Sequence, residues 1–321
     1  MTRRTPPALF ACTLLAVVCA DPAWPQAGRT IRIVVPFPPG GSGDILARVL
    51  SEQIGKAQGA TVVIENRSGG GASIAYEAVA RAVPDGNTLV INANSMVINP
   101  LLRKVNYHPF TSYVPICQLV SVLQLIVTGG ASPYRTLAEF VAAAKAMPGA
   151  LTVAAVGQGT AQQIGFELFK RAANLDLTYV PYAGGAPAVT ALLGGHVDAV
   201  LGNYTDTIEN LNAGKLRALA AVTRSRLPTL ADVPTVAELG YKNFEFEVWF
   251  GVVAPAQTPS GVTAQLATWF AAALEAPEVK PKLVNLGLYP TAVCQDAFTE
   301  LLRKQSADYA RIIREANIKG E

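Results

Sequence analysis

The sequence predicts an α/β protein of two lobes, each a mostly parallel sheet flanked by helices. Three observations carry this. Strand-like and helix-like runs alternate between Ile31 and Asn92. The same alternation restarts at Leu151, and a long apolar run at 248–254 follows it. Alternation of this kind sets parallel strands side by side and covers them with helices.

Taken in order, Ile31-Arg32-Ile33-Val34-Val35 is a short β-rich run closed by Pro36. After a Gly/Pro loop, Ile45, Leu46, Val49, Leu50 and Ile54 recur at helical spacing. Residues 61–65 read as a second strand, and Gly69-Gly70-Gly71 turns the chain into a helix over 73–82. Pro84-Asp85-Gly86 is a turn signal, and 88–92 is a third strand. In the second unit, 151–156 reads as a strand, Gly157-Gln158-Gly159 as a loop and 160–173 as an amphipathic helix. A strand at 177–180, a helix at 184–193 and strands at 196–201 and 216–222 follow. The run 248–254 is expected to return to the first sheet, ahead of helical stretches at 263–275, 277–286 and 295–316. The first lobe is therefore expected to be discontinuous, 29–129 plus 251–321, with the second at 130–250.

Composition bounds the function. The 321 residues suffice for two units of roughly 100–200 residues. Half are hydrophobic and 15% are charged, which excludes a disordered chain. A net charge of +3 gives no broad basic surface for nucleic acid. Two histidines and four cysteines are little material for a zinc site or a disulfide framework. Arg3 and Arg4 precede an apolar run at 8–20, and a Pro-rich stretch ends at Ala27. This is the layout of a secretory signal peptide over 1–27, with a run shorter than the ~20 residues that span a bilayer. Cleavage after Ala20 and after Ala27 both stay open, and the mature protein is expected in the periplasm. Cleavage leaves Cys117 and Cys294. Their pairing stays open, although their distance in sequence argues against it.

Candidate chemistry lies in loops that end strands and open helices, where ligands bind in open α/β sheets. The first is Pro36-Phe37-Pro38-Pro39-Gly40-Gly41-Ser42-Gly43-Asp44. Its glycines permit close backbone approach, and free N–H groups at a helix start attract anions. Ser42 adds a hydroxyl, and Asp44 is placed to cap the helix. A plain glycine turn explains the loop equally well. It is neither a dinucleotide fingerprint nor a Walker loop, because the glycine spacing and the lysine are missing. Gly157-Gln158-Gly159-Thr160-Ala161-Gln162-Gln163 is the equivalent loop of the second unit, and Pro181-Tyr182-Ala183-Gly184-Gly185-Ala186-Pro187 is a third. None holds Arg, Lys or His, so an anion there is held by dipoles, hydroxyls and amides. Matching loops in two lobes suit the two ends of one ligand.

Several ordered stretches then carry a resemblance. They are the first loop from Ile33 to Asp44, Glu65-Asn66-Arg67, Pro84-Asp85-Gly86, Val180-Pro181-Tyr182, the run from Gly214 to Ala220, the run from Asp232 to Glu238, and Trp249-Phe250-Gly251. From about Ile31 to Lys319 the chain resembles the Bug family, the extracytoplasmic solute-binding receptors of tripartite tricarboxylate transporters. The resemblance implies a two-lobed periplasmic binding protein of the Venus-flytrap, type II-like kind. It implies capture of a small carboxylate (a di- or tricarboxylate or an aromatic carboxylate), delivery to membrane permease subunits, no reaction, and neither cofactor nor metal. A monomer is expected.

The resemblance also places candidate ligand contacts. They are Phe37, Pro39, Gly40, Gly41, Ser42, Gly43 and Asp44 in the first loop, and Asn94 and Ser95 beyond the third strand. In the second lobe they are Gly157, Gln158, Gly159, Thr160, Gln163, Tyr182, Ala183, Gly184 and Asn203. Gln163 stands where many members have His, and Ala183 replaces a commonly polar residue. Gly202-Asn203 stands where Asp-Asn is common, which argues against an amino-acid ligand. Asp206 is a possible compensation, but an exposed acid at a helix start explains it more simply. Other residues read as structural: His108 and His196 lack metal-ligand neighbours, and Trp249 and Phe250 suit core or hinge positions, with lining of the cleft as the alternative. Glu245 and Glu247 lack a nucleophile or metal, and Arg224 and Arg226 suit a solvated face. Two other functions stay open. One is a sensory accessory protein serving a histidine kinase. The other is a secreted phosphate- or nucleotide-using enzyme, against which the missing lysine and magnesium ligands count.

Overall fold

The computed structural model describes residues 28–223, 226, 230–241, 244 and 246–319. The expected signal segment 1–27, Arg224 and Glu245 lie outside the described residues.

The chain opens with β1 (Thr30–Val35), α1 (Ser42–Gln58), β2 (Thr61–Asn66), α2 (Ser73–Ala80), β3 (Thr88–Ala93) and α3 (Ser95–Leu102). Two strands follow, β4 (Tyr113–Val122) and β5 (Gln124–Gly129), then α4 (Leu137–Ala146). The second unit continues through β6 (Thr152–Val156), α5 (Ala161–Ala173), β7 (Thr178–Tyr182), α6 (Gly185–Leu193), β8 (Ala199–Asn203), α7 (Tyr204–Asn212) and β9 (Leu216–Ala221). The chain closes with β10 (Val248–Pro255), α8 (Ser260–Glu275), α9 (Lys280–Asn285), β11 (Leu288–Cys294) and α10 (Asp296–Glu315). Local chemistry sets several of these limits. Gly59, at φ +65°, ends α1 in the left-handed conformation that glycine adopts without strain. Thr136 and Glu139 form a capping box that starts α4.

The strands form two sheets, ordered β11-β4-β10-β3-β1-β2 and β7-β6-β8-β5-β9. The sheets are mixed, which corrects the expectation of mostly parallel ones. β1 lies parallel to β2 and β3, and β6 lies parallel to β7 and β8. β10 runs antiparallel to β3 and β4, and β5 runs antiparallel to β8 and β9. The antiparallel strands β4, β5, β9 and β10 flank the two places where the chain passes between sheets. β10 does return to the first sheet. β5 lies inside the stretch 29–129 expected in the first lobe, yet it pairs in the second sheet, so the chain changes sheet at Leu123.

β11 was not expected. Pro290 and a register irregularity between Pro290 and Val293 interrupt its strand pattern, as an edge strand tolerates. Its position overturns the argument against the cysteine pair. Cys294 faces Cys117 across the β11–β4 ladder, and the two form a disulfide. One apolar cluster fills the first lobe, and two more pack on either face of the second sheet. Among the described residues no helix is long and apolar enough to cross a membrane.

Candidate functional site

Between the sheets lies a cavity that the first turns of several helices surround. α1 contributes Gly41, Ser42 and Gly43; α3 contributes Asn94 and Ser95; α5 contributes Thr160, Ala161 and Gln162; α6 contributes Gly184, Gly185 and Ala186; α7 contributes Asn203 and Asp206. Phe37, Pro38, Val156, Val248 and Phe250 form much of its apolar wall. First-turn N–H groups have no acceptor within their own helix, so this ring of helix starts gives the cavity a positive potential. Asp206 is the one charged side chain lining it among the described residues.

A chain of hydrogen bonds crosses the cavity. Gln124 and Gln162 donate to Asn203 Oδ1 at 2.6 and 3.2 Å. Asn203 Nδ2 donates to Ser42 Oγ at 2.7 Å. Ser42 in turn donates its hydroxyl, at 2.8 Å, and its backbone N–H, at 2.9 Å, to Asp206 Oδ1. A carboxylate of the second lobe thus sits on the helix start of the first. Asp206 is not the exposed acid expected at a helix start: its Oδ2 is enclosed and has no hydrogen-bond partner. Burial pushes its carboxyl up to about 6, against the hydrogen bonds from Ser42 and Asn203. The lobes approach closely here. A Cβ on Gly185 would lie 1.8 Å from Asp206 Oδ2, and one on Gly184 would lie 2.7 Å from Pro38 Cδ.

The expected contact residues divide by position. Phe37, Gly41, Ser42, Gly43, Asn94, Ser95, Thr160, Gly184 and Asn203 line the cavity. Gly157, Tyr182 and Ala183, with Phe37, line a neighbouring recess formed with Gly69–Ala72. Pro39, Gly40, Asp44, Gln158, Gly159 and Gln163 line neither.

Several of these have structural tasks. Asp44 accepts from Arg48, Asn66 and the backbone of Gly40. Burial alone would raise its carboxyl, but these bonds hold it below the ordinary carboxylate range. It sits in the first turn of α1, and Gly41 takes the cap position. Thr160 caps α5 by accepting from Gln163 N, while its hydroxyl reaches the carbonyls of Val156 and Gly157 at 2.8 Å each. Gln163 accepts from Gly159 N. Gly159 has φ +73°, and a Cβ there would lie 1.9 Å from Asn99 Oδ1, so the position demands glycine. Asn94 donates to Glu247 O and Tyr309 Oη and accepts from Trp249 N, which ties the cavity wall to α10. Ser95 pairs with Tyr76.

Sequence reasoning missed three polar residues here. Gln124 lies on β5, which carried no recognised motif. Gln162 lay inside the second loop but was not singled out. Arg103, just beyond α3, reaches the carbonyls of Gly70 and Gln158 and so bridges the lobes outside the cavity. Phe250, read as core or hinge, does line the cavity. No cluster of metal-ligating side chains occurs among the described residues.

Comparison with known proteins follows the same direction. The family model described as "Tripartite tricarboxylate transporter family receptor" matches residues 46–318. BugT of Bordetella pertussis is 32% identical over 294 residues, covering 91% of this chain and 90% of that protein. The solved structure of the periplasmic binding protein BugD shares 32% identity at a TM-score of 0.88, covering 93% of this chain and 100% of that one. R. palustris Rpa4515, solved with adipate, shares 31% identity at a TM-score of 0.88 over the same shares. The architecture is that of type II periplasmic binding proteins, and the chain belongs to the tripartite tricarboxylate transporter receptor family, whose members are solute-binding receptors and not enzymes.

Proposed function

We propose that this receptor captures a small carboxylate-bearing solute between its lobes and delivers it to membrane subunits of a tripartite tricarboxylate-type transporter. Di- and tricarboxylates and aromatic carboxylates form the candidate class. The carrying observation is the ring of helix first turns around a cavity lined by no Lys, Arg or His among the described residues. Such a ring recognises an anion by dipoles and backbone N–H groups, as helix starts do elsewhere. The adipate held by Rpa4515, a relative of the same architecture, supports the same ligand chemistry. We read the segment 1–27 as an export signal, take the mature protein to act in the periplasm, and take it to act there as a monomer. A thermal-shift panel of small carboxylates at neutral pH tests the reading. A carboxylate at 100 times its Kd stabilises by about 2.7 kcal/mol and raises the melting temperature. A panel in which no carboxylate raises it contradicts the proposal.

A further inference from the structure

Outside the cavity the lobes meet a second time, and here a charged side chain makes the contact. Arg103 follows α3 in the first lobe. Its Nη2 donates to Gly70 O at 2.6 Å and, across the gap, to Gln158 O of the second lobe at 3.2 Å. Nε and Nη2 also donate to Asn99 Oδ1, and the buried Asn99 donates to Gly71 O at 2.7 Å. The facing backbones are close. A Cβ on Gly71 would lie 2.1 Å from Gln158 O, and one on Gly159 would lie 1.9 Å from Asn99 Oδ1. Asn99, Arg103, Gln158 and Gly159 do not line the cavity.

We propose that Arg103 is a closure latch: it sets how long a ligand stays bound, without touching the ligand, by holding the Gln158 carbonyl only while the lobes are shut. The latch rests on the receptor reading above for its ligands, but not for lobe closure itself.

The bonds to Gly70 and Asn99 lie within the first lobe, so they survive opening and keep the guanidinium aimed at the gap. Closure therefore orders little further side chain, which is the usual cost of recruiting an arginine. The bond made on closing has a charged donor, the stronger kind. Gln158 lies two residues before Thr160, the cap of α5, whose first turn lines the cavity. Release of a ligand requires the lobes to part and this bond to break, whereas entry into the open form does not. The latch therefore acts on dissociation. A cation that acted through the ligand's charge would instead speed association, and more so for a dianion than for a monoanion.

The test reads closure and kinetics in the mature chain and in its Arg103→Met and Arg103→Lys variants, each checked for folding by circular dichroism. Spin labels at Val83→Cys and Leu193→Cys, exposed positions of the first and second lobes, report the lobe separation by pulsed electron resonance. It is measured without ligand and with adipate, succinate or benzoate. The wild type is expected to populate the closed separation even without ligand. Arg103→Met is expected to lower the closed-to-open ratio about tenfold, the worth of one charge-assisted hydrogen bond. Arg103→Lys, which keeps the charge but not the planar fork, is expected to lose most of the same factor, and it carries the test should Arg103→Met fold poorly. For each of the three acids that binds, stopped-flow is expected to show dissociation faster by one common factor and association nearly unchanged. A folded variant with the wild-type separations and dissociation rates overturns the latch. So does a loss that lysine restores, or one that is larger for adipate than for benzoate. Should none of the acids bind, the closed population of the ligand-free chain still decides: a drop in the variants upholds the latch while carboxylate capture fails alone, and a wild type that is never closed overturns the latch.

Discussion

Ser42 is the hinge point of the cross-cavity network, and its removal gives a prediction with a worked magnitude. The hydroxyl donates to the Asp206 carboxylate at 2.8 Å and accepts from Asn203 Nδ2 at 2.7 Å. A hydrogen bond to a charged group is worth about 1.5–3 kcal/mol net, and a neutral one about 0.5–1.5. Both partners belong to the other lobe, so the bonds exist only when the lobes are closed. Ser42→Ala should therefore destabilise the closed form by about 2–4 kcal/mol, while the Ser42 N–H bond to Asp206 survives. Ligand affinity is coupled to closure, because a ligand stabilises the state it binds better. A loss of about 2 kcal/mol corresponds to affinity weakened roughly thirtyfold. Calorimetry gives the affinity, and small-angle scattering with saturating ligand gives the extent of closure. A Ser42→Ala protein with wild-type affinity and an unchanged radius of gyration refutes the reasoning.

Three further outcomes follow from individual residues. Thr160→Ala removes the cap of α5 and should cost about 1 kcal/mol of stability, or a few degrees of melting temperature, with affinity changed less than threefold; a large affinity loss at unchanged stability contradicts the capping role. For Asp206, a folded carboxyl at about 6 against 3.8 in the unfolded chain means that the folded protein holds the extra proton between these values. Stability then falls as pH rises from about 4 through 6, by about 3 kcal/mol in all, so the melting temperature of Asp206→Asn relative to wild type should climb by several degrees between pH 4 and pH 7.5. A difference that stays constant over that range speaks against the burial of this charge. Reducing the Cys117–Cys294 disulfide opens a link with sequence separation 177 and should lower stability by about 5 kcal/mol on the chain-entropy account, measured by urea melts with and without reductant. Identical midpoints contradict the pairing.

The alternation that announced the fold was legible because its strands are short apolar runs followed at once by amphipathic helices. β1 with α1 and β6 with α5 are examples. β4, β5 and β11 were not legible for different reasons. β4 and β5 form one nearly continuous apolar stretch, 113–129, and nothing in its composition marks Leu123 as the crossing between sheets. β11 holds a proline, and its partner β4 is distant in sequence. The same blindness hid the cysteine pair, since register across non-local strands cannot be read from spacing. At the candidate site, the glycine loops marked helix starts that line the cavity, because helix N-termini carry a local signature. The fates of individual side chains were hidden. Whether a hydroxyl faces a ligand, caps its own helix like Thr160, or bonds the opposite lobe like Ser42 depends on what the second lobe presents. Asp206 shows this most clearly. One acid in the first turn of a helix looks solvated in sequence, and only the packing of α1 and α6 against it buries its carboxylate.

The central claim is that the ring of helix starts holds the carboxylate of a solute. The most direct measurement is calorimetry of the best ligand from the carboxylate panel against its primary amide, in which the carboxylate alone is changed. The account predicts one ligand per chain, with the amide bound at least tenfold more weakly, because an uncharged group gains little from helix dipoles. An amide that binds as tightly as the carboxylate contradicts it.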